Sequence, residues 1–270
     1  MNLFDSHAHY NDEKFDLDRD DIIKETLENE VSNFIVAGYS IESSKKAVEI
    51  VKRYNGVYSI VGISPNDLEE IQTEEDINNV VKDLKMICIE NKSMLLNKKI
   101  VAIGEIGLDY YWTKENMEIQ KKIFIKQIEL ANRLNLPIVI HTRDAVNDTL
   151  KILKENTVLK RGIFHCCPLN RELVKEGLKL GFYISLSGVV TFKNAKNADE
   201  IIQMIPEDRL LIETDSPYLA PEPVRGSRNN CMNVKYVAEK IANVKGKNIT
   251  EIAEITNKNA KKIFNLSDKK

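Results

Sequence analysis

The residues best equipped for chemistry in this chain are its four histidines, and every one falls where an apolar run ends. His7 and His9 close Leu3-Phe4-Asp5-Ser6-His7-Ala8-His9. His141 closes Leu136-Pro137-Ile138-Val139-Ile140-His141, and His165 closes Arg161-Gly162-Ile163-Phe164-His165. None is left over as an ordinary surface histidine. Imidazole is the commonest protein ligand for transition metals, so the distribution argues for a metal site. Two acidic positions share the pattern, Glu105 in Ile103-Gly104-Glu105-Ile106-Gly107-Leu108-Asp109 and Asp215 in Ile212-Glu213-Thr214-Asp215-Ser216-Pro217. Together these are more ligands than one tetrahedral ion needs. They suit two divalent ions about 3.5–4 Å apart, joined by a bridging carboxylate. One ion would take His7, His9 and Asp215, the other His141 and His165, with Glu105 between them and open positions for water and substrate. Each residue alone has a plainer explanation. A strand-end histidine is more often a hydrogen-bonded core group, and either acid could cap a helix. The weight lies in the joint pattern.

Such a site needs elements that gather distant stretches. Apolar runs rich in Ile, Val, Phe and Leu recur at about 3–9, 31–39, 57–64, 100–108, 136–142, 161–166, 182–187 and 210–214, as expected for strands buried on both faces. Between them lie charged segments with helical spacing, such as Glu118–Leu134, where Ile119, Ile123, Ile128 and Leu130 recur among Lys and Gln. Asn248–Phe264 reads as a last helix that adds no strand. Eight strands alternating with helices predict an α/β fold, a closed (β/α)8 TIM barrel spanning 1–270 as one metal-dependent hydrolase domain. A doubly wound open sheet is the rival. It is weakened because neither GxGxxG nor GxxxxGK[ST] occurs. In a barrel the reactive groups sit at the C-terminal strand ends, which is where the histidines and the two acids lie. His7 and His9, two apart, share one side of their strand.

The totals set bounds. Apolar residues make up 43% and charged residues 30%, enough for a sizeable core and against disorder. No apolar run approaches the ~20 residues of a membrane span. The first residues enter a strand without a basic or apolar leader pattern, so no secretory signal is expected. Cys88, Cys166, Cys167 and Cys231 form no CxxC pair, which fits a reduced cytoplasm. The net charge of −2 supplies no global positive field, so a nucleic acid would have to be held by local contacts. That counts against a dedicated nucleic-acid-binding module more than against an enzyme that handles an end.

Phe4-Asp5-Ser6-His7-Ala8-His9, Ile103 to Tyr110, His141-Thr142-Arg143-Asp144-Ala145 and Glu213-Thr214-Asp215-Ser216-Pro217-Tyr218-Leu219-Ala220-Pro221 resemble the TatD-related family of metal-dependent deoxyribonucleases, within the amidohydrolase-like barrel superfamily. Pro223-Val224-Arg225-Gly226-Ser227-Arg228-Asn229 is similar to that family's loop after the last strand, and Glu-Thr-Asp-Ser-Pro is the most specific run. The resemblance covers nearly the whole chain. It implies a TIM-like barrel, two divalent metals, ligand roles for His7, His9, Glu105, His141, His165 and Asp215, and hydrolysis of DNA phosphodiester bonds, often from an end. Three places depart from the family pattern. Gly62-Ile63-Ser64-Pro65-Asn66 stands where Gly-x-His-Pro-His is usual. His165-Cys166-Cys167-Pro168-Leu169 replaces His-Cys-Phe followed by Ser or Thr and Gly. Asn230-Cys231 follows Arg228-Asn229 where Glu-Pro is common. The ligands are intact; substrate choice at the rim is what these changes touch.

The chemistry expected is attack on phosphorus by a metal-activated water, with Asp215 and Glu105 as catalytic carboxylates. Imidazole-rich ligands suit Zn, Mn, Fe or Ni better than Mg, so Zn or Mn is expected as the bound ion, with Mg an activator that the resemblance allows. Arg143 and Arg225 are candidate phosphate contacts. Their competing roles are a structural salt bridge for Arg143 and loop ordering for Arg225. Asn229 reads as a helix cap. Tyr110, Tyr111 and Trp112 could stack bases, but rim packing is favoured. Ser64 and Asn66 read as ordinary loop polarity, Asp109 as orienting a neighbour, Cys166 as buried beside His165 without a catalytic role, and Lys45–Arg53 as a solvated helix face. A related barrel hydrolase acting on an amide or aminoacyl ester is the near alternative. It is disfavoured by the Glu-Thr-Asp-Ser-Pro run and by the lack of a lysine at the end of the fourth strand. A non-catalytic metal- or nucleic-acid-binding protein is the distant alternative, disfavoured by the full ligand set and the absence of a basic patch. The expected partner is DNA, single-stranded or at an end, with no membrane. A closed barrel has no free edge, so a monomer is expected.

Overall fold

Alternation along the strands decides which side chains fill the barrel and which meet the helices. The structure, a computed structural model, describes residues 1–112 and 114–266. The elements run β1 (Leu3–Ala8), α1 (Arg19–Glu28), β2 (Val31–Ala37), α2 (Ile41–Lys52), β3 (Val57–Val61), α3 (Glu74–Glu90), α4 (Lys92–Leu96) and β4 (Ile100–Asp109). They continue with α5 (Met117–Leu134), β5 (Ile138–Arg143), α6 (Val146–Glu155), β6 (Gly162–Phe164), α7 (Arg171–Lys179), β7 (Tyr183–Leu186), α8 (Ala198–Met204), β8 (Leu210–Ile212), α9 (Val234–Lys245) and α10 (Ile249–Ile263). All eight strands are parallel and lie in sequence order in one sheet, as the (β/α)8 reading expects. Among the described residues, no helix is long and apolar enough to cross a membrane.

Ile35, Val139, Ile163 and Leu211 point into the barrel, where they form one cluster with Phe4, Ile60 and Val101. Their neighbours Phe34, Ile140, Phe164 and Ile212 pack outward under the helices. This is the period-2 pattern of a strand buried on both faces. α10 carries Asn248 as its N-cap, in a reciprocal capping box with Glu251. Its Ala260, with Phe264 just beyond, plugs the N-terminal end of the barrel against Phe4. The other end is left to polar side chains.

The strands are shorter than the apolar runs that predict them. The run 210–214 contributes only Leu210–Ile212, and 161–166 only Gly162–Phe164. Beyond those points the chain leaves the ladder to build the mouth. So His9, His165 and Asp215 follow strand ends, whereas His7 and His141 lie inside β1 and β5. Two bulges aim the others. Between Asp5 and Ala8, three residues of β1 advance against two of β2, and between Ile103 and Ile106 β4 does the same against β5. A bulge changes which side chains face inward. The bulge in β1 moves His7 and His9 onto the inner face although Phe4, three residues before His7, already points there.

Among the described residues, no β8–β1 ladder continues the sheet around. The seam is closed by the segment just past β8: Asp215 N donates to His7 O at 2.9 Å and His9 N to Ser216 O at 2.6 Å. Thr214 N also donates to the Asp5 carboxylate at 3.1 Å.

Gly107 marks the tightest approach beside the site. It pairs with His141 at a φ of +140°, and a Cβ there would lie 2.0 Å from the His141 carbonyl oxygen. Gly107→Ala is expected to lower the unfolding free energy by about 3 kcal/mol. Gly246→Ala, with positive φ but nothing within 4 Å, should cost about 1 kcal/mol. Urea unfolding of both variants checks this; equal losses would contradict the close approach.

Candidate metal centre

Inward alternation extends the apolar interior into a polar one. Two residues beyond Val139 comes His141, and two beyond Ile163 comes His165. Past the bulges, Glu105 joins them from β4 and His7 and His9 from β1, and Asp215 arrives from the segment after β8. The structure brings all six together. Glu105 lies at the centre. Its Oε2 is 3.4 Å from His7 Nε2 and 3.6 Å from His9 Nε2. Its Oε1 is 3.0 Å from His141 Nδ1 and 3.3 Å from His165 Nε2. Asp215 Oδ1 lies 3.2 Å from His9 Nε2 and 3.8 Å from His7 Nε2. His7, His9, Glu105 and His165 are buried; His141 and Asp215 are half-buried and open toward the mouth.

The outer partners fix which ring nitrogens face the cluster. His9 Nδ1 bonds the Ala37 carbonyl at 3.1 Å, so its Nε2 points inward as an acceptor. His141 Nε2 bonds Asp109 Oδ2 at 2.8 Å, leaving Nδ1 toward Glu105. His165 Nδ1 lies 3.4 Å from Glu213 Oε1. His7 Nε2 and His9 Nε2 sit 3.2 Å apart. Lone pairs and carboxylate oxygens converging in a buried space repel one another unless protons or cations lie between them. Nitrogen and oxygen donors of this kind suit a transition-metal cation. Three overlapping sets have their ligand atoms close enough to share an ion: His7–His9–Glu105, His7–His165–Asp215 and Glu105–His141–His165.

Charge in the cluster follows from these distances. Burial disfavours ionised Glu105, but the imidazoles of His165, His141 and His7 hold its carboxyl well below the usual carboxylate range. Burial opposes charge on His165 too, yet Glu105 and then Glu213 raise it well above an ordinary histidine. His7 is lowered, first by burial and then by repulsion from His165. Burial opposes charge on Asp215, but His9, with His165 and His7, lowers its carboxyl all the same.

Sequence reasoning missed several supports. Glu213, fully buried, accepts from Cys166 N and from Ser6 Oγ and stands behind His165. Asp5, also fully buried, accepts from the backbone of His7 and Thr214 and from the Thr214 hydroxyl; burial pushes its carboxyl up to about 7 against those bonds. Gln120 and Gln127 of α5 bond the backbone of Asp109 and Ile63 in both directions. Two glutamines seven apart on the apolar face of a helix were the available signal. Asn66 is more than loop polarity, since its Nδ2 donates to Asp109 Oδ2 at 3.3 Å.

The rim residues divide. Among the described residues Arg143 makes no salt bridge; its guanidinium lies 3.7 Å from the centre of the Tyr111 ring. Arg225 donates to the Ala220 carbonyl and covers Phe192 at 3.9 Å, which orders its own loop. Asn229 is not a helix cap: Asn230 caps the short 3-10 turn Cys231–Asn233 and Asn233 precedes α9, while buried Asn229 donates to the carbonyls of Thr214 and Tyr218. Rim packing holds for Tyr110 but not for exposed Tyr111 and Trp112. The Cys166 thiol is half-buried, 3.2 Å from Ser187 Oγ, and burial pushes it well above the ordinary thiol range. The face at Lys45–Arg53 carries exposed ion pairs to Asp16, Asp20 and Glu49.

A parallel barrel whose C-terminal strand ends gather imidazoles and carboxylates defines the class of metal-dependent hydrolases. Within that class, the chain belongs to the TatD family: the family model described as TatD related DNase matches residues 4–265. It is 43% identical to the Bacillus subtilis metal-dependent hydrolase YabD, covering 98% of this chain and all of that protein. It is 30% identical to mouse TATDN3, whose description proposes a deoxyribonuclease, over 98% of this chain and 88% of that one. The fold matches the crystal structure of YjjV, a TatD homolog from Escherichia coli K12, with a TM-score of 0.89 at 23% identity over 98% of each chain.

Partners that orient ligating histidines commonly matter 10–100-fold for metal affinity. Asp109→Asn is therefore expected to weaken the binding of an added divalent metal by about that factor with the fold kept, as read by calorimetric titration and far-UV circular dichroism.

Proposed function

We propose that this chain is a deoxyribonuclease that hydrolyses phosphodiester bonds of single-stranded DNA or of a DNA end, exonucleolytically, with two divalent ions. The observation that carries this reading is the division of labour at Glu105. One carboxylate oxygen faces His7 and His9, the other faces His141 and His165. A carboxylate so placed suits a bridge between an ion held by His7, His9 and Asp215 and another held by His141 and His165. When bound, paired divalent ions supply a water of lowered pKa and an electrostatic clamp on phosphoryl oxygens. Zn or Mn is the proposed bound ion, with Mg an activator.

The chain's own residues do the rest. Asp215, half-buried at the mouth, orients the attacking water and accepts its proton. Glu105, almost fully buried, keeps the two halves of the cluster in register. Arg143 offers positive charge at the rim, and Arg225 acts through its loop. With a net charge of −2, the protein holds a strand by contacts near the mouth, which suits an enzyme working at an end. The four unpaired cysteines suit a reducing cytoplasm, and a sheet whose two ends meet suits a monomer.

The test is incubation of the metal-loaded protein with end-labelled single-stranded DNA, with and without chelator, beside an aminoacyl ester assayed in parallel. Progressive shortening of the DNA that chelator abolishes is expected; hydrolysis of the ester alone would overturn the reading. Asp215→Asn should lower kcat by about 10²–10⁴-fold, the usual worth of a positioned acid–base group, while its circular dichroism matches the parent. A fully active variant would remove Asp215 from the chemistry.

Arg143→Ala is expected to raise KM on DNA. An unchanged KM and kcat would remove Arg143 from substrate binding.

A further inference from the structure

Tyr111 and Trp112 break the rule that buries most large side chains of the barrel. Tyr110, just before them, is 7% exposed and its hydroxyl donates to Asp148 at 2.8 Å. Tyr111 and Trp112 are 53% and 67% exposed. Their rings meet edge to face at 4.9 Å. The exposed Arg143 guanidinium sits 3.7 Å from the Tyr111 ring centre and 5.4 Å from that of Trp112. Two aromatic rings and a guanidinium thus form a platform open to water.

The platform is tied to the metal centre through one carboxylate. Asp109 Oδ1 accepts from Tyr111 N at 2.9 Å and Trp112 N at 3.2 Å, while its Oδ2 accepts from His141 Nε2 at 2.8 Å. Three residues reach at most about 10 Å, so Trp112 stays within a few nucleotides' length of the cluster. Arg143 lies two residues beyond His141 on β5, so both parts of the platform are anchored to residues facing Glu105.

We propose that Tyr111, Trp112 and Arg143 form a base-stacking subsite for the nucleotide adjoining the phosphodiester presented to the histidine–carboxylate cluster. This rests on the nucleic-acid reading above. Every base offers a π-face, so such a platform binds without regard to sequence, and the guanidinium adds charge and a cation–π contact. A base inside a duplex has both faces covered by its neighbours. The subsite therefore takes a single strand or an unpaired end. It also supplies local affinity that the chain's net negative charge does not.

Trp112 is the sole tryptophan of the chain, so its fluorescence reports the subsite directly. The metal-loaded protein is titrated with a short oligothymidylate carrying phosphorothioate linkages, which slow cleavage, and with an abasic strand of the same length and linkage. Saturable quenching by the first and none by the second is expected. In steady-state assays on ordinary oligothymidylate, Trp112→Ala should raise KM about tenfold or more with little change in kcat. Trp112→Phe, which keeps a stacking ring, should restore KM. On the abasic phosphodiester strand both variants should match the parent. Equal quenching by the two strands, no quenching by either, or an equal rise in KM on both substrates would overturn the subsite. Hydrolysis of DNA without quenching would sink the subsite and leave the nuclease standing. Base-dependent quenching without hydrolysis of any strand would do the reverse.

Discussion

A charged carboxylate withdrawn from water among four imidazoles is the constraint around which this end of the barrel is organised. Removing an ion from water costs several kcal/mol unless its surroundings compensate. Glu105 is compensated only by groups that themselves need partners: His7, His9, His141 and His165 all lie within 3.6 Å of its oxygens. The demand passes outward. His9 is answered by the Ala37 carbonyl and His141 by Asp109, and Glu213 stands behind His165. Asp109 is answered in turn by two backbone amides and by Asn66. The polar network thickens toward the mouth because each buried polar group needs a partner. At the opposite end Phe4 and Phe264 simply stack.

Much of this was legible in the sequence. Ile and Val runs spaced by amphipathic segments announce buried parallel strands, and six ligand-type residues at the ends of such runs announce a shared pocket. The bulges were not legible. A bulge arises from pairing between strands, and Asp5 to Ala8 carries no local mark of the extra residue. Strand ends were overrun for a related reason: Glu213 and His165 follow apolar neighbours without a break, but the ladder stops at Ile212 and Phe164. Asn229 looked like a cap because Asn is a good one, and its burial under the loop after β8 depended on long-range packing. For Tyr111 and Trp112 composition favoured burial, whereas their backbone is pinned outward by Asp109.

Helix α5 shows how the scaffold serves the mouth. Its apolar stripe, with Ile123, Phe124 and Ile128, packs under the sheet, while Gln120 and Gln127 reach past that stripe to the chain leaving β4 and β3. A carboxamide offers the same donor and acceptor as a peptide group. Each glutamine thus substitutes for a neighbouring strand just where the ladder gives out. The loops bearing Asn66 and Tyr111 are thereby held by a rigid element.

The seam between the first strand and the segment after the last joins residues far apart in the chain: the bond between Thr214 and Asp5 spans 209 positions. During synthesis β1 emerges from the ribosome with nothing to close against. His7 and His9 meet neither Asp215 nor the carbonyl of Ser216 until most of the polypeptide has been made. The full cluster of four imidazoles and two carboxylates is thus a late product of translation. A chain ending at β8 would carry Glu105 and all four histidines, yet it would lack both the Asp215 carboxylate and the backbone bonds that draw β1 to the far end of the sheet.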